Sequence, residues 1–331
     1  MKILFLGLGS VGQRHLINAK KIFKGSSFFA LRVQNHKKII KNTKLIKFSN
    51  LDKYYKIKSL YKFSEAINLK PDLTFICNPS SKHLTDAIKF ANIGSNLFIE
   101  KPLGRSKILE KKLIKVVKKK KLITMVGYQS RFNPIIKKLK KIIVKKTFGK
   151  IIYGNFNFLT FLPNHHKYEN YKRSYAANRT LGGGVIDSLI HEIDIIAFLF
   201  GLPTKHFSIK SNLNILKIDC DENFSSLMKF KIRKNDFNIF LRLSFTQNKG
   251  ERKISILFEK ALLKICLIRN TIEIHSNKNK MLKSIKFRLN QNKFFYDQLV
   301  NLKRALKLNK QPDTSVIKNR DTQTLFFKLI N

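Results

Sequence analysis

The fold is first decided at residues 2–23, KILFLGLGSVGQRHLINAKKIF. A short apolar run ends at Gly7, and apolar residues recur at helical spacing after Gly12, which predicts a strand, a glycine turn and a helix. G-x-G-x-x-G in this context is typical of a dinucleotide-binding turn: the first glycine makes the tight turn, the second leaves room for the pyrophosphate and the third lets helix and strand pack closely. We expect the cofactor phosphates to be held by Gly7, Leu8, Gly9, Ser10, Val11 and Gly12.

The strand predicted at residues 27–33, SFFALRV, bears on the choice between NAD and NADP. A cofactor with a free ribose 2′-hydroxyl usually meets an acidic residue near the end of this strand, and none is present. Arg32 stands there instead and could pair with the 2′-phosphate of NADP, or be an ordinary surface arginine of a very basic protein. The expected cofactor is therefore NAD or NADP.

Strands and helices alternate up to about residue 150, which predicts a doubly wound parallel sheet. Beyond that point several strands follow one another without helices between them, which indicates a mostly antiparallel sheet. The predicted fold class is α/β, with a Rossmann domain at residues 1–127 and a second α/β domain at residues 128–331. Ligands of parallel sheets bind at the carboxyl ends of the strands, where Asn78-Pro79, Lys101 and Tyr128 fall.

The stretch LGGGVIDSLIHEID, residues 181–194, is the candidate catalytic segment. Three glycines precede a helical repeat, and they would let a ligand approach the start of that helix. Asp187 and His191 are four residues apart and share one helix face, an arrangement suited to acid–base chemistry. The alternative is an ordinary helix with solvated polar residues. The segment lacks the second histidine of a zinc motif, and we expect no bound metal.

The loop at residues 163–180, PNHHKYENYKRSYAANRT, precedes this segment. Its mixture of histidine, tyrosine and arginine suits a hydroxylated ligand, although a plain surface loop is the alternative. His166, Tyr168 and Arg173 are the candidate contacts.

The net charge of +47, from 67 basic and 20 acidic residues, raises the question of nucleic-acid binding. Only 13 of the basic residues are arginine, and the lysines are scattered along the chain. Because lysine does not make the bidentate contacts by which proteins read bases, we attribute the charge to the composition of an AT-rich genome and expect no specific nucleic-acid partner.

Cysteine usage and hydropathy indicate the compartment. Cys77, Cys220 and Cys266 are too far apart for a disulfide framework and fit a reducing cytosol. No apolar run is long enough for a transmembrane helix, and the apolar start is too short for a signal peptide. We expect a cytoplasmic protein without membrane insertion.

Five motifs occur in a defined order: the glycine turn, Asn78-Pro79 with His83, EKP at 100–102, GYQSRF at 127–132, and GGGVIDSLIHEID at 182–194. Together they resemble the Gfo/Idh/MocA oxidoreductases. The resemblance implies a Rossmann domain followed by a domain whose open sheet often forms the interface of a homo-oligomer, a dimer or tetramer. The loop KYENYKRSYAA, followed by LGGG, also looks like that of members from surface-polysaccharide and nonulosonate gene clusters. Two departures are the missing acidic residue after the second strand and the Ser188-Leu189 pair, where many members have a glycine nearby.

The resemblance implies roles for individual residues. The catalytic set is Lys101, Asp187 and His191, with Asn78, Pro79, His83, Glu100 and Lys101 beside the cofactor. The expected substrate contacts are Tyr128, Arg131, His166, Tyr168, Arg173, Asp187 and His191.

The predicted reaction is hydride transfer between a nicotinamide and a secondary hydroxyl or ketone of a sugar, cyclitol or nucleotide sugar, in carbohydrate or surface-glycan biosynthesis. His191, with an unshifted pKa near 6.5, would take the hydroxyl proton, Asp187 would orient the imidazole and the sugar hydroxyls, and Lys101 would stabilise the alkoxide. The alternatives are a lyase or glycosidase that uses its cofactor cyclically, and a catalytically silent ligand-sensing regulator.

Overall fold

A computed structural model describes residues 1–33, 36–41, 44–232, 235–278 and 280–330, so that residue 331 of the predicted second domain lies outside the described residues. The first part of the chain forms eight strands. They are β1 (Lys2–Leu6), β2 (Ser27–Leu31), β3 (Lys38–Lys41), β4 (Lys44–Phe48), β5 (Lys58–Leu60), β6 (Leu73–Ile76), β7 (Asn96–Ile99) and β8 (Thr124–Val126).

Six of these strands form one sheet in the order β5-β2-β1-β6-β7-β8, and every neighbouring pair is parallel. The strand order reverses between β1 and β6, so the turns after these two strands flank a crevice where ligands of such sheets bind. β3 and β4 form a separate two-stranded antiparallel sheet. The predicted parallel sheet is confirmed.

Ten helices are described along the chain. Five of them connect strands of the first part of the chain. The bounds of the ten helices are α1 (Ser10–Ile22), α2 (Leu51–Tyr55), α3 (Phe63–Asn68), α4 (His83–Asn92), α5 (Lys107–Lys119), α6 (Pro134–Val144), α7 (Val185–Ser188), α8 (His191–Phe200), α9 (Gln291–Lys307) and α10 (Arg320–Ile330).

The second part of the chain forms an eight-stranded sheet in the order β10-β11-β12-β9-β13-β14-β15-β16. Only β9 and β12 run parallel, so the predicted mostly antiparallel sheet is also confirmed. Its strands are β9 (Ile151–Phe161), β10 (Lys205–Ser211), β11 (Asn223–Ile232), β12 (Asn235–Ser244), β13 (Thr246–Phe258), β14 (Ala261–Cys266), β15 (Thr271–Ser276) and β16 (Met281–Lys286).

One face of this sheet covers the helix that carries His191. Side chains in β11 and β12 alternate between buried and exposed, as expected when one face of a sheet meets the core. Nine of the ten residues of α8 are buried, and Phe200 at its end packs against the rings of Phe156, Phe230 and Phe237. The large sheet therefore packs against the helix of the candidate catalytic segment and fixes its position.

The helix α9 returns to the first sheet. Leu299, Leu302 and Ala305 share a core cluster with Phe5 and Phe75 of the parallel strands. Thus a segment near the end of the chain completes the core around the glycine turn, and the division at residue 127 stays a prediction. None of the described helices is long and apolar enough to cross a membrane.

Candidate active site

The glycine turn after β1 has the shape that a dinucleotide requires. Gly7 has a φ of +92°, and a Cβ on Gly12 would lie 2.3 Å from the carbonyl oxygen of Gly7. A Cβ on Gly9, in contrast, would meet no described atom within 4 Å, and no side chain caps the start of α1. The open space at Gly9 and the uncapped helix start therefore fit a pyrophosphate.

Arg32, the candidate for reading a 2′-phosphate, is occupied inside the protein. Its Nη1 donates to Asp52 Oδ1 at 2.9 Å and to Ser59 Oγ at 3.3 Å, and its Nη2 donates to the carbonyl of His36 at 2.7 Å. The residue is 6% exposed. An incoming 2′-phosphate would have to compete with the Asp52 carboxylate for this guanidinium.

Two buried contacts fix the strand-end turns that were predicted to face the cofactor. The imidazole of His83 lies between the carbonyl oxygens of Pro102 and Asn78, at 2.7 and 2.9 Å. Glu100 Oε1 lies 2.6 Å from His15 Nε2, and its Oε2 accepts from the backbone N–H of Lys101. Burial opposes ionisation of Glu100, but His15 and Lys101 outweigh it and lower its pKa. The side chains of His83 and Glu100 thus hold the backbone of the strand-end turns in place.

The predicted continuous helix after the three glycines is broken into α7 and α8 at Leu189 and Ile190. The ammonium of Lys101 donates to the carbonyl of Ser188 at 2.7 Å, and the backbone N–H of Glu192 bonds to Leu189 instead. A charged donor from the first sheet therefore replaces a helix hydrogen bond and stabilises the break.

Asp187 is held by an arginine that the sequence analysis did not single out. Arg105 donates Nε–H to Asp187 Oδ1 at 2.9 Å and Nη2–H to Oδ2, a bidentate pair. The Asp187 side chain is 1% exposed, and burial raises its pKa despite Arg105. As no hydrogen bond joins Asp187 to His191 among the described side chains, the geometry gives Asp187 no direct role in orienting the imidazole.

Lys101 and His191 line one cavity of about 340 Å³. The cavity lies where the ends of the parallel strands meet α8 and β13. Three of its residues carry a buried polar atom that has no hydrogen-bond partner in the described part of the chain: His166 Nδ1, Ser188 Oγ and His191 Nδ1. The many polar side chains of the lining suit a ligand with several hydroxyls.

The imidazole of His191 is held in its neutral form. Burial, followed by the nearby charges of Lys101 and Arg252, lowers its pKa well below the usual 6.5. The expectation of an unshifted pKa was therefore wrong, because the sequence could not reveal that two cations face this buried ring. A neutral imidazole is available as a proton acceptor over a wider pH range.

Comparisons with known proteins agree with this geometry. Residues 1–128 match the family model described as "Oxidoreductase family, NAD-binding Rossmann fold", and residues 136–264 match the "GFO/IDH/MocA C-terminal domain". The chain belongs to the Gfo/Idh/MocA family. The resemblance noted in the sequence is thereby confirmed.

Individual relatives are more distant. The scyllo-inositol 2-dehydrogenase (NAD(+)) of Bacillus subtilis (strain 168) is 32% identical over 135 residues, which are 39% of this chain and 35% of that protein. The first curated relatives are matched over about a third to three fifths of their length.

Two solved structures show the same fold over the whole chain. A levoglucosan dehydrogenase in complex with NADH and L-sorbose has a TM-score of 0.80 at 12% identity, covering 100% of this chain and 96% of that chain. UDP-N-acetylglucosamine 3-dehydrogenase from Acidithiobacillus ferrooxidans has a TM-score of 0.75 at 15% identity, with the same coverage.

Other predicted substrate residues of this Gfo/Idh/MocA chain lie apart from the cavity. Tyr128 is 1% exposed within the core. The guanidinium of Arg131 binds Asp194 through three hydrogen bonds, and Arg173 is exposed on a short 3₁₀ turn. Tyr168 lies beside Ser10 at the start of α1, where burial raises the pKa of its phenol. Of the predicted loop residues, only His166 lines the cavity.

Gln129 and Arg252 are among the cavity residues that the sequence analysis missed. Gln129 follows β8, and its Nε2 lies 3.1 Å from Nε2 of His191. Arg252 in β13 pairs with Glu192 at 2.6 Å and covers the ring of Phe158. The position of Gln129 at a strand end was an available signal, whereas Arg252 lies in an ordinary alternating strand and had none.

Proposed function

We propose that this protein is an NAD(P)-dependent oxidoreductase that transfers a hydride between nicotinamide and a secondary hydroxyl or ketone of a sugar or cyclitol. The observation that carries the proposal is the shared cavity of Lys101 and His191, beside a glycine turn that fits a dinucleotide. Family membership and the polar lining of the cavity support it.

The chain would contribute proton transfer and charge stabilisation. A bound nicotinamide would supply the hydride acceptor or donor. Neutral His191 would accept the hydroxyl proton at Nε2, because its Nδ1 is buried. The ammonium of Lys101, fixed by Ser188, would stabilise the negative charge that develops on the substrate oxygen. Asp187 would act through Arg105, by holding the segment that leads to His191.

The cavity size favours a single-ring substrate. A volume of about 340 Å³ is near the lower end of ligand pockets, roughly 300–1,000 Å³. A sugar or cyclitol ring would use the several hydrogen-bonding groups of the wall. A nucleotide sugar is the second candidate, since a structural neighbour is a UDP-N-acetylglucosamine dehydrogenase. Its nucleotide would have to extend beyond the cavity, and a role in surface-glycan biosynthesis would follow.

The test is turnover of NAD and NADP with a panel of inositols, free sugars and nucleotide sugars. Lys101→Ala and His191→Ala should each lower kcat/KM by about 10²- to 10⁴-fold, while circular dichroism at the assay temperature shows that each variant remains folded. Lys111→Ala and His206→Ala remove the same residue types from exposed positions and should retain full activity. Wild-type rates in either site variant would refute the assignment.

The panel also separates the alternative functions. Accumulation of reduced cofactor identifies a dehydrogenase. Substrate loss without net reduction of the cofactor would identify cyclic use by a lyase or glycosidase. Binding of dinucleotide without turnover of any compound would favour the regulator.

A further inference from the structure

Gln129 is the polar neighbour of His191 inside the cavity. It begins a 3₁₀ turn, Gln129–Phe132, directly after β8, so its side chain comes from the parallel sheet while His191 begins α8. The two Nε2 atoms are 3.1 Å apart, and both side chains line the cavity. The other ring nitrogen of His191, Nδ1, is buried without a described partner. Nε2, which contacts Gln129, is therefore the nitrogen at which a ligand could replace the amide.

We propose that Gln129 is a positioning residue, which donates its amide N–H to Nε2 of His191 and holds the ring as the neutral Nδ1–H tautomer. An amide nitrogen only donates, so the imidazole nitrogen facing it must carry a lone pair. The proton then resides on Nδ1. This inference rests on the proposed function for its catalytic meaning, because a proton acceptor at Nε2 is what the dehydrogenase reaction requires.

The charges around the ring are consistent with a neutral tautomer. Lys101 faces His191 from the end of β7 and Arg252 from β13, with Glu192 paired to the arginine. His165, His166 and Glu169 line the same cavity from the loop.

The opposite amide orientation makes a different and measurable prediction. It would place the carbonyl oxygen of Gln129 at His191, and the ring would have to carry its proton on Nε2 to make the hydrogen bond. Such a ring could not accept a proton from a substrate at that atom. The tautomer of His191 therefore distinguishes a residue that prepares the base from one that blocks it.

The experiment is a long-range ¹H–¹⁵N spectrum of the full chain labelled with ¹⁵N-histidine, with the His191 signals assigned by their loss in His191→Gln. The wild-type protein should show a protonated Nδ1 and an unprotonated Nε2 near neutral pH. Gln129→Leu, which removes the donor, should give a mixture of both tautomers. Gln247→Leu is the matched control, because the amide of Gln247 bonds the carbonyl of Lys249 and the residue does not line this cavity.

Activity gives a second readout. Gln129→Glu places a carboxylate beside the ring, which favours imidazolium, so the acidic limb of kcat/KM should move to higher pH. A wild-type ring protonated on Nε2, or a tautomer unchanged in Gln129→Leu, would overturn the proposal. The tautomer is read from the spectrum without substrate or turnover, so a failure of the proposed dehydrogenase activity remains distinguishable from a failure of this inference.

Discussion

Replacing Gly9 by alanine should weaken dinucleotide binding while leaving the fold intact. The backbone of Gly9 has φ −65° and ψ −171°, an extended conformation that alanine adopts without strain. Its Cβ would meet no described atom within 4 Å. A glycine-to-alanine change at such a position stabilises a protein by about 0.4–1 kcal/mol, because the unfolded chain loses conformational freedom.

The added methyl group would occupy the space in which the pyrophosphate is expected. Crowding of a packed contact by one methyl group costs about 1–3 kcal/mol. That range corresponds to a roughly 5- to 150-fold increase in the dissociation constant. Gly12→Ala is the contrasting variant: its Cβ would lie 2.3 Å from the carbonyl oxygen of Gly7, so it should lower stability as well as binding.

The assay combines NADH fluorescence titration with urea unfolding of the wild type and both variants. Gly9→Ala should retain or slightly raise the unfolding midpoint and bind NADH more weakly. Wild-type affinity in Gly9→Ala would show that the cofactor does not approach this residue. A clear loss of stability would show that the space beside it is not open.

Three further substitutions test the charges around the site. Arg252→Gln removes a cation that lowers the pKa of His191, so the base stays protonated to higher pH and the acidic limb of kcat/KM should shift upward. Arg105→Met leaves the buried carboxylate of Asp187 without its partner and should lower the free energy of unfolding in urea by roughly 2–4 kcal/mol. The loss is smaller than for a fully buried pair, because the Arg105 side chain is 43% exposed. Adding Asp187→Asn should recover most of this loss, and additive losses would contradict the pairing. Asp52→Asn removes the carboxylate that pairs with Arg32 and should raise the affinity for NADP relative to NAD in titrations; an unchanged preference would show that Arg32 does not face the ribose.

Local patterns in the sequence were enough to predict both sheets and the cofactor turn. The short apolar run before Gly7 and the helical repeat after Gly12 depend on neighbouring residues only, and the structure has the strand and the helix at those places. The run of strands without intervening helices likewise predicted the antiparallel sheet, in which the side chains of β11 alternate between buried and exposed. The strand ends also identified Lys101 as a residue facing the crevice, because the carboxyl ends of parallel strands meet at one edge.

The sequence by itself thus determined the two sheets, the glycine turn and the candidates Lys101 and His191. Only the tertiary structure decided that Lys101 bonds the carbonyl of Ser188 at the helix break, that Arg105 pairs with Asp187, and that Arg252 helps to keep His191 neutral. The physical reason is that periodicity encodes which face of an element is buried, whereas charge pairing joins groups far apart along the chain. Ion pairs and pKa values depend on distance in space and on burial, which no local pattern specifies.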